Sequence, residues 1–188
     1  MRKMMSIIGD SKIEKDGKKY RLAFSMGKAL VDNGYRVASG GLGGVMEAAF
    51  EGARSSEFYR EGDTVAILPM FDRKLASDAA DIVIATGLDV YRNVIVANSD
   101  AVIAIGGGAG TLAEMSNAWP LKRLMIAFRG VEGWSAKVAD TRLDHRNRYP
   151  DIEEDRVFGV DTAEEAIALL EKYLNLYTDT HTGIKRGD

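Results

Sequence analysis

The sequence predicts an α/β fold: a three-layer, Rossmann-like arrangement with a mostly parallel central sheet of about seven strands and helices on both faces. Three observations predict it. Short β-branched apolar runs alternate with longer stretches of helical period. Most of those runs are apolar throughout rather than alternating, as strands covered on both faces are. Three of them end in turns that contain glycine.

The predicted strands are Met4–Ile8, Arg36–Ser39, Thr64–Leu68, Ile82–Ala85, Ala101–Ile105, Leu124–Phe128 and, more weakly patterned, Val157–Val160. Between the first two, Tyr20, Leu22, Ala23, Met26, Leu30 and Val31 form one helical stripe that stops at Asn33-Gly34. Val45, Met46, Ala49, Phe50 and Ala53 form a second. Further helices are expected over Val90–Ala97, Thr111–Trp119, Ser135–Asp140 and Thr162–Tyr177. The last has Asp161 or Thr162 as N-cap and two glutamates in its first turn, which complement the helix dipole. The polar, aperiodic stretch Thr141–Asp155 reads as a long surface loop near the sheet edge. Residues 1–177 are expected to form a single nucleotide- or phosphate-binding domain, and 178–188 a flexible tail.

Composition narrows the chemistry. The chain has 188 residues, 46% of them hydrophobic, enough for one substantial core but cramped for two. Its 25 basic and 28 acidic residues are interspersed, so no basic stripe for nucleic acid is expected. Cysteine is absent, which removes disulfides, thiolate nucleophiles and Cys-type zinc sites. With only His145 and His181, a histidine metal centre or a Ser-His-Asp triad lacks material, and no metal site is expected. The N-terminal apolar run breaks at Gly9-Asp10, too early for a signal peptide. Ala101–Ile105 is far too short to span a membrane. The expectation is a cytoplasmic protein with no membrane or nucleic-acid partner.

The chemistry is sought in the turns Gly9-Asp10-Ser11, Ser39-Gly40-Gly41-Leu42-Gly43-Gly44 and Gly106-Gly107-Gly108-Ala109-Gly110-Thr111. A backbone without Cβ can take positive φ and lie against a ligand, so that several N–H groups converge on one anion. The helix that follows adds its free N–H groups and positive dipole end. Thr111, Ser39 and Ser11 could add hydroxyls. Strand C-termini are where open parallel sheets bind ligands. These turns are neither the dinucleotide fingerprint nor a Walker A loop, since no Gly-Lys-Ser/Thr follows. Two charges stand out. Glu114 is expected in the first helical turn after the third glycine run, as a dipole stabiliser or a catalytic carboxylate. Arg92, the only basic residue between Leu75 and Leu121, is a surface group, a carboxylate partner or an anion clamp.

At these residues a family resemblance becomes specific. SGGLGGVMEAAFEGA and RNVIVANSDAVIAIGGGAGTLAE resemble the LOG (Lonely Guy) or "lysine decarboxylase-like" family of the SLOG superfamily, and within it the molybdenum-cofactor-carrier-like subgroup. The resemblance runs from Ile7 to about Leu174. It implies hydrolysis of the N-glycosidic bond of nucleoside 5′-monophosphates to free base and ribose 5-phosphate, with no cofactor required. Gly107, Gly108, Gly110, Thr111 and Glu114 match the family signature Pro-Gly-Gly-x-Gly-Thr-x-x-Glu, and Arg92 matches its upstream arginine. Arg92 and Glu114 are thereby the catalytic candidates. Two positions depart: Gly106 replaces the proline, and Asn93 the lysine after the arginine, as in the carrier-like subgroup. The alternative implied is a non-catalytic carrier whose cargo is a phosphorylated cofactor such as molybdenum cofactor. Lysine decarboxylation is not expected, because no pyridoxal-phosphate lysine site is recognisable. The apolar Val90–Ala97 helix and the Met115–Trp119 face suggest a homodimer or homotetramer.

Overall fold

Seven strands, joined by six crossovers, assemble into one all-parallel sheet of order β4-β3-β2-β1-β5-β6-β7. They are β1 (Met4–Gly9), β2 (Arg36–Ser39), β3 (Thr64–Leu68), β4 (Ile82–Ala85), β5 (Ala101–Ile105), β6 (Leu124–Phe128) and β7 (Val157–Val160). The computed structural model describes residues 1–182. Residues 178–182 carry no regular structure, and the remainder of the expected tail, 183–188, lies outside the described residues.

Side-chain alternation along each strand divides the core into two layers. Met5, Ile7, Val37, Ile103, Ile105, Ile126 and Phe128 face one side. There they pack on α1 (Lys18–Asp32), α2 (Val45–Arg54) and α6 (Ala163–Tyr173). Ile8, Ala38, Val65, Val102, Ala104 and Met125 face the other. They meet α3 (Asn93–Ala97), α4 (Ala109–Ala118) and α5 (Trp134–Val138). The α1–α2 contact depends on glycines: a Cβ at Gly27 or Gly52 would run into the backbone of the opposite helix at Ala49 or Phe24.

Several expectations are corrected. Val90–Ala97 is not one helix but a 3-10 turn over Asp89–Arg92 followed by the short α3, with Asp89 at φ 49°. α4 begins at Ala109, two residues before Thr111, because Gly110 is helical rather than part of the turn. α6 stops at Tyr173 rather than Tyr177, and Thr162 caps it by accepting from the Glu165 N–H at 3.2 Å. Edge strand β4 leaves Ile82 and Ile84 exposed, so only one of its faces is covered. The 141–155 segment is a loop, yet it is firmly anchored. Arg148 and Asp155 form a buried pair (Nε–Oδ2 2.9 Å), the guanidinium lies 3.6 Å over Trp119, and Tyr177 donates to Asp155. A buried pair of this kind is hard to break because either partner alone would be an uncompensated charge.

The strand order has one consequence for function. From β1 the chain proceeds outward through β2, β3 and β4, then returns to place β5 on the other side of β1. The connections leaving β1 and β5 diverge to opposite faces, and a crevice opens between their C-terminal ends.

Candidate functional site

The crevice brings together Gly9-Asp10-Ser11 after β1 and Gly106–Thr111 after β5. Gly106 and Gly107 have φ of +67° and +95°, a reversal open to glycine and few other residues. The reversal is held from below. The Gly106 N–H donates to Ser135 Oγ at 2.8 Å, and the carbonyls of Gly106 and Gly107 accept from the N–H groups of Ser135 and Trp134. The Gly107 N–H donates to Asp10 Oδ2 at 2.8 Å, and Lys19 donates to the same oxygen at 2.6 Å. Thr111 is buried against Gly107.

Beyond Gly107 the turn runs into α4. Gly108 is the N-cap of α4 and offers no side-chain bond; the first intrahelical bond is Leu112 N–H to the Gly108 carbonyl. Among the described residues the N–H groups of 108–111 therefore find no acceptor. Nothing lies within 4 Å of a Cβ built on Gly108 or Gly110, and 108–110 are exposed. Four free amides stand at the positive end of a ten-residue helix, an arrangement chemically suited to an anion.

Glu114 lies three residues past Thr111, on the same side of α4 and one turn deeper. As the sixth residue of the helix it is not in the first turn, and dipole stabilisation no longer explains it. Its Oε1 accepts from Arg92 Nη1 at 2.7 Å, and both residues are 7% exposed. Burial pushes the Glu114 carboxyl above the ordinary range, and the charge and hydrogen bond of Arg92 oppose the shift. Among the described residues Arg92 Nε is buried without a partner. The pair is thus a desolvated dipole beside the crevice rather than a surface bridge.

The second glycine run packs closely against its surroundings. Gly40 makes room for Arg92: a Cβ there would stand 2.5 Å from Nη2. Gly44, at φ +72°, lets α2 close on the Asp10 carbonyl, which accepts from Val45 N–H at 2.9 Å. Gly41 packs on Ala66 and Leu68, and its N–H donates to Ser39 Oγ at 3.1 Å. Gly43 stands beside the Ser11 carbonyl, and Gly9 is pressed between Ile105 and Val45. Ser39, Gly40, Gly41, Gly44 and Gly9 make these packing contacts, while the N–H groups of Leu42, Gly43 and Gly44, like those of 108–111, have no acceptor among the described residues. Ser11 is exposed at the rim.

Lys19 and Ser135 were not anticipated. Ser135 carries no local signal, since its partner lies 29 residues away. Lys19, in the first turn of the helix after Asp10, could have been found from that spacing.

The apolar stripe splits. Met115 and Trp119 are core residues, whereas Val90, Tyr91, Val94 and Ile95 are exposed, as are Phe71, Ile82 and Ile84. Among the described residues no cluster of His, Asp or Glu could hold a metal, and no helix is long and apolar enough to cross a membrane.

Comparison with known proteins agrees with this architecture. A family model described as the SLOG cluster4 family matches residues 2–166. An uncharacterized protein of Archaeoglobus fulgidus is 45% identical over 106 residues, 56% of this chain and 67% of its own. A cytokinin riboside 5′-monophosphate phosphoribohydrolase of Mycobacterium marinum is 26% identical over 162 residues, covering 78% of this chain and 82% of that one. The solved structure of the molybdenum cofactor binding protein from Rippkaea orientalis superposes with a TM-score of 0.74 at 28% identity, over 92% of this chain and 97% of that one.

The buried pair gives a test. Arg92→Ala leaves Glu114 buried and uncompensated and should cost about 3–5 kcal/mol in urea unfolding, whereas Arg92→Ala/Glu114→Ala together should cost less than Arg92→Ala alone. Costs that simply add would show that the two groups do not interact.

Proposed function

The chain belongs to the SLOG cluster4 family, and we propose that this member binds a phosphorylated small molecule of the nucleoside 5′-monophosphate type, its phosphate at the start of α4. The observation that carries this reading is the set of unoccupied amides at 108–111, placed at the strand crossover point with two open glycines around them. A dianionic phosphoryl group satisfies several amides at once and gains from the helix dipole. Thr111 supplies a hydroxyl at the same place. The ligand then extends from the helix start along the crevice between Asp10 and the Arg92–Glu114 pair.

A second reading, glycosidic hydrolysis, is favoured by that pair. In this reaction water adds across the C1′–N bond: its oxygen joins C1′, and a proton goes to the departing base nitrogen. Positive charge develops on the ribose ring, and the Glu114 carboxylate, hydrogen-bonded to Arg92, would in its ionised form stabilise that charge and orient the water. Likeness to the Mycobacterium enzyme supports this reading. Likeness to the Rippkaea protein supports carriage of a phosphorylated cofactor, molybdenum cofactor among them, in the same crevice without turnover. Gly106 and Asn93, which depart from the hydrolase signature, point the same way.

The exposed apolar surface of Val90, Tyr91, Val94, Ile95, Ile82 and Ile84 is proposed as the seam of a homodimer, which can pair into a tetramer. Sedimentation should give a dimer or larger for the wild type and a monomer for Tyr91→Asp; a monomeric wild type contradicts it.

Gly110→Asp tests the phosphate site. The side chain has space, so the fold survives, and its charge should weaken AMP binding by about ten-fold or more in calorimetric titration. Unchanged affinity would remove the phosphate from α4. In the same samples, release of free adenine that falls about 100-fold or more in Glu114→Ala identifies the hydrolase. Saturable binding with no adenine release identifies the carrier.

A further inference from the structure

We propose that Asp10 sets ligand specificity: its carboxylate closes the β5 turn to a second phosphoryl group and reserves that position for the vicinal hydroxyls of a ribose. The inference rests on the phosphate reading above and deepens it.

The donors at the turn are already spent. Gly106 N–H serves Ser135 Oγ, and Gly107 N–H serves Asp10 Oδ2. An anion approaching the turn meets no free amide before 108, and it meets a carboxylate. Lys19 holds that carboxylate from the other side, about three-quarters buried with it, so its positive charge is directed at Asp10.

The arrangement is not a latch that a phosphate could push aside. The main chain of Asp10 is pinned, because its carbonyl accepts from Val45 N–H and its neighbour Gly9 is wedged between Ile105 and Val45. Gly106 belongs to the same device. At φ +67° a proline could not stand there, and even a single Cβ would collide with the Asp10 carboxylate. The replacement of the signature proline by glycine is therefore what allows Asp10 to lie across the turn.

A carboxylate accepts about four hydrogen bonds. Two are used here, both at Oδ2, and Oδ1 has no partner among the described residues. The remaining capacity is acceptor-only, so it selects a ligand group that donates. Gly107 touches both Asp10 and Thr111, so these acceptors lie next to the site proposed for the phosphate. The ribose of a 5′-monophosphate presents two adjacent hydroxyl donors within such a span.

The test uses the full chain and four probes: phosphate, pyrophosphate, AMP and 2′,3′-dideoxy-AMP, titrated calorimetrically. Wild-type protein should bind AMP about ten-fold more tightly than the dideoxy analogue, and pyrophosphate no more tightly than phosphate. In Asp10→Ala the AMP preference should fall to near unity, while pyrophosphate should gain about ten-fold over phosphate as Gly107 N–H and Lys19 become free. Asp10→Asn keeps an oxygen for Gly107 and removes the charge; a gain for pyrophosphate over phosphate, smaller than in Asp10→Ala, is expected from it as Lys19 loses its partner charge, whether or not the alanine variant folds. AMP binding with ratios unchanged in both folded variants, or in Asp10→Asn alone if Asp10→Ala does not fold, overturns the role of Asp10 and leaves the phosphate site standing. A wild type that binds neither AMP nor phosphate overturns both.

Discussion

The return of the chain from β4 to lay β5 beside β1 is the constraint on which the rest of the molecule depends. It forces two adjacent parallel strands to send their connections to opposite faces, and the gap this leaves cannot be filled by either helix. Everything with chemical potential stands at that gap. Asp10 arrives from β1, the amides of 108–111 from β5, and Arg92 is held over Gly40 by the turn that precedes α3.

Charge is distributed there in an order that a ligand would read. The helix start is electropositive and open, the Asp10–Lys19 pair is nearly neutral with unused acceptors, and the Arg92–Glu114 pair is desolvated. Desolvation gives the last pair its significance. At the surface an arginine–glutamate bridge contributes little, whereas in a buried setting its field acts on whatever lies beside it. That setting is compatible with both proposed readings, and the fold is shared by relatives of both kinds.

Much of the fold is legible in the sequence because burial on two faces removes ambiguity: β2 to β7 begin and end where their apolar runs do. Helix starts are harder. Gly110 reads as turn, yet it is the second residue of α4, and this moves Glu114 from the first helical turn to the second. The glycine runs look alike as strings, but a glycine that faces a ligand and one that faces the protein's own guanidinium differ only in three dimensions; Gly40 and Gly108 are the contrasting cases. The partner of Arg92 lies 22 residues away and that of Gly107 lies 97 residues away, distances over which no periodicity speaks. The Arg148–Asp155 anchor is hidden for a related reason, since it sits inside a stretch without helical or strand period.

The central claim is that the main-chain amides at the start of α4 hold the phosphate. Amide chemical shifts recorded by NMR during titration with AMP test it most directly. The account predicts large saturable shifts confined to residues 108–112 and their neighbours across the crevice, with Gly41 and Gly43 little affected. Saturable shifts centred on the second glycine run, with 108–111 unmoved, would contradict it.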